Sequence, residues 1–166
     1  MSDTASKIRS RESLADILSR ERTAGRTVAL ANGLFDLVHV GHIRYLEAAK
    51  READILVVGI NSDTSARALR GEGRPILPQD ERAEIVAALA CVDWVFLFYE
   101  LNVETALLLL RPDVHCKGTD YTQQNVPERD TVREYGGRIS IVGDPKSHAS
   151  RDLIREIVRR FGDAVR

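Results

Sequence analysis

The sequence predicts an α/β fold built on a doubly wound sheet of five parallel strands, with helices on both faces. Three observations predict it. Five short apolar runs recur along the 166 residues, each continuous rather than alternating, as strands covered on both faces are. Segments of helical period separate those runs. No internal repeat, low-complexity tract or linker rich in Pro, Gly or Ser divides the chain, so residues 1–166 read as one domain with residues 1–25 as a leading helical segment.

The elements follow in order. A short helix near Leu14 to Ser19 leads into a first strand, "TVALA", Thr27 to Ala31. Ile43, Leu46, Ala49 and Ala53 then share one helical face. "ILVVGI", Ile55 to Ile60, is the second strand, and "RGEGRPILP", Arg70 to Pro78, is a basic, glycine-bearing loop that reads either as a lid or as an ordinary connection. Ile85, Val86, Leu89 and Ala90 form another helical face before the third strand, Trp94 to Phe98. Asn102 caps a helix over Val103 to Leu110, and "VHCK", Val114 to Lys117, is the fourth strand. A helix over Glu128 to Tyr135 stops at Gly136-Gly137 before the fifth strand, Arg138 to Val142; Ser150 then caps a helix over Arg151 to Phe161.

Bulk properties limit what such a domain does. With 43% hydrophobic and 30% charged residues it has the composition of a soluble globular protein. A formal charge of -1 gives no global attraction to nucleic acid or to an anionic membrane, so any phosphate site has to be built locally. The longest aliphatic run, "ALLLL" from Ala106, falls far short of a spanning helix, and "MSDTASKIRS" lacks the apolar core of a secretion signal, so a cytoplasmic location is expected. Cys91 and Cys116 sit in apolar segments without CxxC spacing and read as core packing.

In a parallel sheet, ligands bind beyond the carboxyl ends of the strands, where loops enter helix N-termini. Asn32 to His42 is such a loop. Gly33 lets the backbone approach a ligand, and Gly41 lies where the next helix opens with free N–H groups and a partial positive charge. His39 and His42, one helical turn apart, can both donate to an anion held there. A metal pair, a satisfied core histidine or a plain cap are the alternatives for HVGH; no HExxH or third ligand supports a metal. The glycine spacing fits neither a Walker loop nor GxGxxG.

The run "NGLFDLVHVGH" resembles the signature of the HxGH nucleotidyltransferase superfamily, whose sheet is Rossmann-like. "GHIRYLEAAKREADILVVGINSD", "RPILPQDERAEIVAALACVDWV", "RPDVHCKGTDY", "YGGRISIV" and "SHASRDLI" continue, in order and spacing, the resemblance to the adenylyltransferases that make ADP-heptose from heptose 1-phosphate. It covers about Arg26 to Ile157. Where that family usually has "TNGCFD", this chain has "ANGLFD", with Ala31 and Leu34 departing, and Arg70 stands where a lysine is common.

The resemblance implies that AMP passes from ATP, with Mg2+, to a sugar 1-phosphate, releasing pyrophosphate. It puts His39 and His42 on the triphosphate and the transition-state oxygens, and Asp36 near the turn, orienting a histidine or capping locally. Nucleotide or sugar contacts extend to Asn32, Gly33, Leu34, Phe35, Gly41, Asn61, Arg70 and Tyr121. Arg74 and Arg82 bring planar, permanently charged donors for phosphate, although Arg82 also suits a surface helix, paired with Glu81 or Glu84. Lys117 and Gly118 follow the fourth strand; Lys117 is assigned to the sugar phosphate, with Asp120 on sugar hydroxyls or Mg2+. Ser147, Ser150 and Arg151 would grip the β- and γ-phosphates, with a Ser150 cap as the plainer role.

The fused sugar-kinase domain of some relatives is absent from these residues, so a separate kinase is expected to phosphorylate C1, and assembly of identical copies is compatible with the sequence. Two other functions stay open: a CTP-dependent cytidylyltransferase of glycerol phosphate or another alcohol phosphate, and a noncatalytic nucleotide-binding regulator on the same fold. Product detection with labelled ATP separates them.

Overall fold

The computed structural model describes residues 4–145 and 149–162. After a 3-10 turn at Thr4–Lys7 the elements are α1 (Arg11–Thr23), β1 (Val28–Gly33), α2 (Val40–Lys50), β2 (Ile55–Asn61), α3 (Asp63–Arg70), α4 (Gln79–Ala87), β3 (Trp94–Phe98), α5 (Glu104–Leu110), β4 (Val114–Lys117), α6 (Arg129–Glu134), β5 (Arg138–Ile141) and α7 (Ser150–Phe161).

All strand pairs are parallel, in the order β3-β2-β1-β4-β5. Chain order therefore reverses between β1 and β4, which leaves a crevice at their carboxyl ends. Successive strand residues point to opposite faces, and both faces are buried. Val28 and Leu30 of β1 with Ile55 and Val57 of β2 meet Leu14 and Leu18 of α1, Leu107 and Leu110 of α5 and Val132 of α6. Ala29 and Ala31 with Leu56, Val58 and Ile60 meet Leu46 and Ala49 of α2 and Val86 and Ala87 of α4. The continuous apolar runs thus have the physical cause expected of them: each strand has a helix layer on either side. Cys116 is buried in the second of these cores and Cys91 packs against it; both are free thiols.

Two differences from the sequence reading matter. The leading helix is longer than Leu14 to Ser19, because Ser10 starts it, its Oγ accepting from Ser13 N at 3.2 Å. Helix α3 was not anticipated. It buries only Ser65 and Ala66 and shows no apolar stripe; its start is set by Ser62, whose Oγ accepts from Ser65 N at 3.2 Å. No helix among the described residues is long and apolar enough to cross a membrane.

Candidate active site

A cleft of about 1000 Å³ opens over the carboxyl edge of the sheet. Asn32 and Gly33 end β1 there, Asn61 ends β2, Phe98 ends β3 and Lys117 ends β4. Strand direction alone brings these positions together, and the topological reversal makes room between β1 and β4.

The loop after β1 forms one wall. Phe35 has φ 50 and is only 2% exposed, so a left-handed conformation is held in place by burial of its ring. That turn sets the ring 5.2 Å from the His42 ring, between centroids. His39 precedes the first turn of α2, and the His39 and His42 rings stack with centroids 4.0 Å apart and planes 29° from parallel. His39 N donates to His42 Nδ1 at 3.3 Å. An accepting Nδ1 leaves the proton of a neutral imidazole on Nε2, so His42 is fixed in the tautomer that donates from its outer edge. Both histidines and Gly41 line the cleft beside the positive end of α2.

Asp36 reaches beyond its own turn to a second loop. Its carboxylate, 4% exposed, accepts from Arg74 Nη1 at 2.5 Å, Ile76 N at 2.7 Å and Leu77 N at 3.1 Å. It therefore moors the loop that precedes α4 to the loop that follows β1. Arg74 still faces the cleft, with part of its guanidinium committed to Asp36.

Arg82 is neither a phosphate donor nor a surface residue. Its side chain is wholly buried and donates from Nε to Leu77 O at 3.0 Å, from Nη1 to Leu34 O at 2.6 Å and from Nη2 to Asp63 Oδ1 at 2.7 Å. The planar fork that suits phosphate is used here to tie α4, α3 and the β1 loop together. The expectation of a ligand role at Arg82 is corrected accordingly. Leu34 contributes its carbonyl to this brace and also lines the cleft.

The opposite wall follows β4. Lys117 is 6% exposed, with Nζ 3.3 Å from Asn32 Oδ1, 3.4 Å from Glu128 Oε2 and 4.8 Å from the centre of the Tyr121 ring. An acid lies within ion-pair distance of it, Glu128, which immediately precedes α6. Burial pulls the Lys117 ammonium below its ordinary range, and Glu128 opposes that. For Glu128 itself burial pushes upward, but His115 and Lys117 win and hold the carboxyl down at about 2. Gly118, Asp120 and Tyr121 line the cleft beside Lys117. The adjacent Cys116 thiol is pushed up to about 12, by burial first, so it is no nucleophile.

Asn61 is buried, donates from Nδ2 to Ser65 Oγ at 3.1 Å and reaches the cleft with Arg70, the last residue of α3. At the far end, Ser150 and Arg151 open α7 and line the cleft. Ser150 does not cap its helix; Ser150 Oγ donates to Leu37 O at 3.2 Å and fastens α7 to the β1 loop. Ser147 lies outside the described residues. Glu128 and His115 were missed as members of this site. The available signal was a polar His in the interior of an apolar strand, which needs a buried partner.

A family model for cytidylyltransferase-like proteins matches residues 30–159. The bifunctional protein HldE of Syntrophotalea carbinolica is 46% identical over 156 residues, covering 94% of this chain and 32% of that protein. The bifunctional protein HldE of Trichlorobacter lovleyi is 42% identical over 161 residues, covering 97% of this chain and 33% of the relative. The chain thus spans about a third of the length of these curated relatives. Among solved structures, the lipopolysaccharide core biosynthesis protein from Thermoplasma volcanium superposes with a TM-score of 0.61 at 26% identity, over 72% of this chain and 99% of that one.

Proposed function

This chain belongs to the cytidylyltransferase-like family, and we propose that it transfers AMP from ATP to a heptose 1-phosphate, giving ADP-heptose and pyrophosphate. The observation that carries the reading is the pairing, across one cleft, of two stacked histidines at a helix N-terminus with a buried lysine at the end of the neighbouring strand. Such a site has two anion-binding centres, which suits a reaction between two polyanions. The likeness of the sequence to the HldE proteins, and of the fold to a lipopolysaccharide core biosynthesis protein, supports a heptose as the sugar.

In this reading the sugar phosphate is its own nucleophile. One of its oxygens attacks the α-phosphorus of ATP in line, a new P–O bond forms, and the bond to the β-phosphate oxygen breaks with pyrophosphate leaving. No general base is needed, because a phosphate dianion already carries the electron pair. His42, donating from Nε2, and His39 beside it stabilise charge on the α-phosphoryl oxygens and the departing pyrophosphate. Lys117 draws in and aligns the sugar phosphate. Arg151 and the N-terminus of α7 hold the β,γ end of ATP, and Arg70 and Arg74 close over the triphosphate from the α3–α4 side.

The described residues contain no group of three or more side chains of the metal-ligating kinds. That fits Mg2+ arriving with ATP, bound mainly by phosphate oxygens and water, with Asp120 among the carboxylates that line the cleft. Its contribution would be to offset charge on the triphosphate.

A panel of sugar 1-phosphates and glycerol phosphate, each with ATP and with CTP, tests the reading by pyrophosphate release. Heptose 1-phosphate with ATP should be the best pair. Preferred turnover of an alcohol phosphate with CTP would replace this reading, and nucleotide binding without pyrophosphate release from any pair would point to a regulator.

A further inference from the structure

Behind Lys117 lies a group of buried ionisable side chains that the reaction above does not use. His115 is 0% exposed and Glu128 4% exposed, and Glu128 Oε2 sits 3.6 Å from His115 Nε2 and 3.4 Å from Lys117 Nζ. Neither ring nitrogen of His115, nor Glu128 Oε2, makes a closer hydrogen bond among the described residues. Buried polar atoms left this way are costly unless they serve one another.

The distances around Lys117 share a property. Its contacts to Asn32 and Glu128, at 3.3 and 3.4 Å, are long for a charged hydrogen bond, and the Tyr121 ring face supplies a third, weaker attraction. The ammonium is surrounded but not locked. A phosphate oxygen at ordinary hydrogen-bond distance would outcompete each of these partners, while without an acid nearby burial would weaken the lysine's hold on its proton.

We propose that Glu128 is the positioning residue of Lys117: it keeps the lysine charged and turned to the cleft until an anion takes it, with His115 holding the carboxylate from behind. Lys117 as the contact to the sugar phosphate rests on the function proposed above; the effect of Glu128 on Lys117 does not. The groups facing Lys117 fit this assignment. Asn32 on β1 is neutral, His115 stands two residues before it on β4, and Tyr45 of α2 is occupied with Cys116 O at 2.8 Å. Across the cleft are His39, His42 and Arg44, and beside it on its own loop is Asp120. Only Glu128 is an acid within ion-pair distance among the described residues. Burial depresses the lysine and Glu128 raises it, so removing the acid should lower its proton affinity further.

The test reads Lys117 directly in the full chain. Lysine carries carbon-13 at Cε, Lys117→Met assigns the signal among Lys7, Lys50, Lys117 and Lys146, and each signal is titrated in the ligand-free protein. Glu128→Gln should move the Lys117 midpoint down by about one pH unit or more, roughly a tenfold loss of proton affinity. Lys7 and Lys50 should stay put, reporting that the fold is intact. Glu128→Asp, which keeps the charge on a shorter arm, should restore at least half the shift. An unmoved Lys117 midpoint in folded Glu128→Gln, within about 0.3 unit, overturns the proposal. If Glu128→Gln does not fold, Glu128→Met, uncharged and of similar length, takes its place: a midpoint lowered by about one unit or more supports the proposal, and one within about 0.3 unit of the wild type refutes it. Turnover is scored separately. A protein inactive on every sugar phosphate, but with the Lys117 midpoint moved, keeps the positioning role and removes the proposed reaction.

Discussion

The carboxyl ends of β1 and β4 lie side by side at the centre of the sheet, yet they build their halves of the cleft from different materials. On the β1 side the groups nearest the strand end are imidazole rings and the opening turn of α2, with the acid of that loop, Asp36, turned inward to hold a neighbouring loop. On the β4 side they are formal charges, Lys117 and Glu128, buried together with His115. Helix termini and ring N–H donors give direction to the groups they meet. A buried ammonium is costly to desolvate, but it attracts an anion strongly once desolvated. The difference teaches that one half can align charge as it develops while the other recruits charge that is already present.

Four substitutions would break or sharpen that contrast, from the largest expected effect downward. Arg82→Met removes the brace under the β1 loop and leaves Leu34 O, Leu77 O and Asp63 without it; a loss of about 3–5 kcal/mol, read by chemical denaturation, is expected. A stable variant that instead binds ATP more weakly would return Arg82 to the ligand. Next, His39→Ala or His42→Ala should lower kcat by about 10^2 to 10^3 with little change in Tm, as loss of an oxyanion donor does. Near-normal turnover in both would remove the β1 half from the chemistry. Lys117→Met should raise KM for the sugar phosphate by roughly 10- to 100-fold, the scale of a charged hydrogen bond, with ATP affinity measured alone almost unchanged. Equal loss for both substrates, with a lower Tm, would make the β4 half a structural ion pair only. Smallest, Arg151→Ala should weaken ATP about tenfold in calorimetry and spare the sugar phosphate, because Arg151 is exposed and its charge is screened. A matching loss for the sugar phosphate would show that α7 supports both halves.

What could be read from the sequence divides along the same line. All five strands were legible, because two-sided burial writes an uninterrupted apolar run, and so were the histidines, because HVGH is a local pattern on one helical turn. Arg82 was not. Its partners are main-chain carbonyls at Leu34 and Leu77, and a carbonyl leaves no trace in residue identity. Glu128 was hidden differently: ten residues of irregular chain separate it from Lys117, and no periodicity crosses such a segment. Helix α3 escaped because it has almost no apolar face; the Ser62 cap was its one local sign.

The mooring of the α3–α4 loop by Asp36 has a thermodynamic consequence. From Gly71 to Pro78 the loop would lose about 8–16 kcal/mol of conformational freedom if it had to order from a fully free state around a ligand, at ~1–2 kcal/mol per residue. Arg74, Ile76 and Leu77 are already held by one carboxylate, Pro75 is fixed between them with its ring setting φ, and Pro78 is the N-cap of α4. That leaves Gly71, Glu72 and Gly73, whose two glycines, at φ 87 and φ 80, occupy a conformation other residues resist. If the loop closes over a bound nucleotide as proposed, only about three residues have to order, roughly 3–6 kcal/mol, and the rest of the entropy is lost during folding, before any ligand arrives.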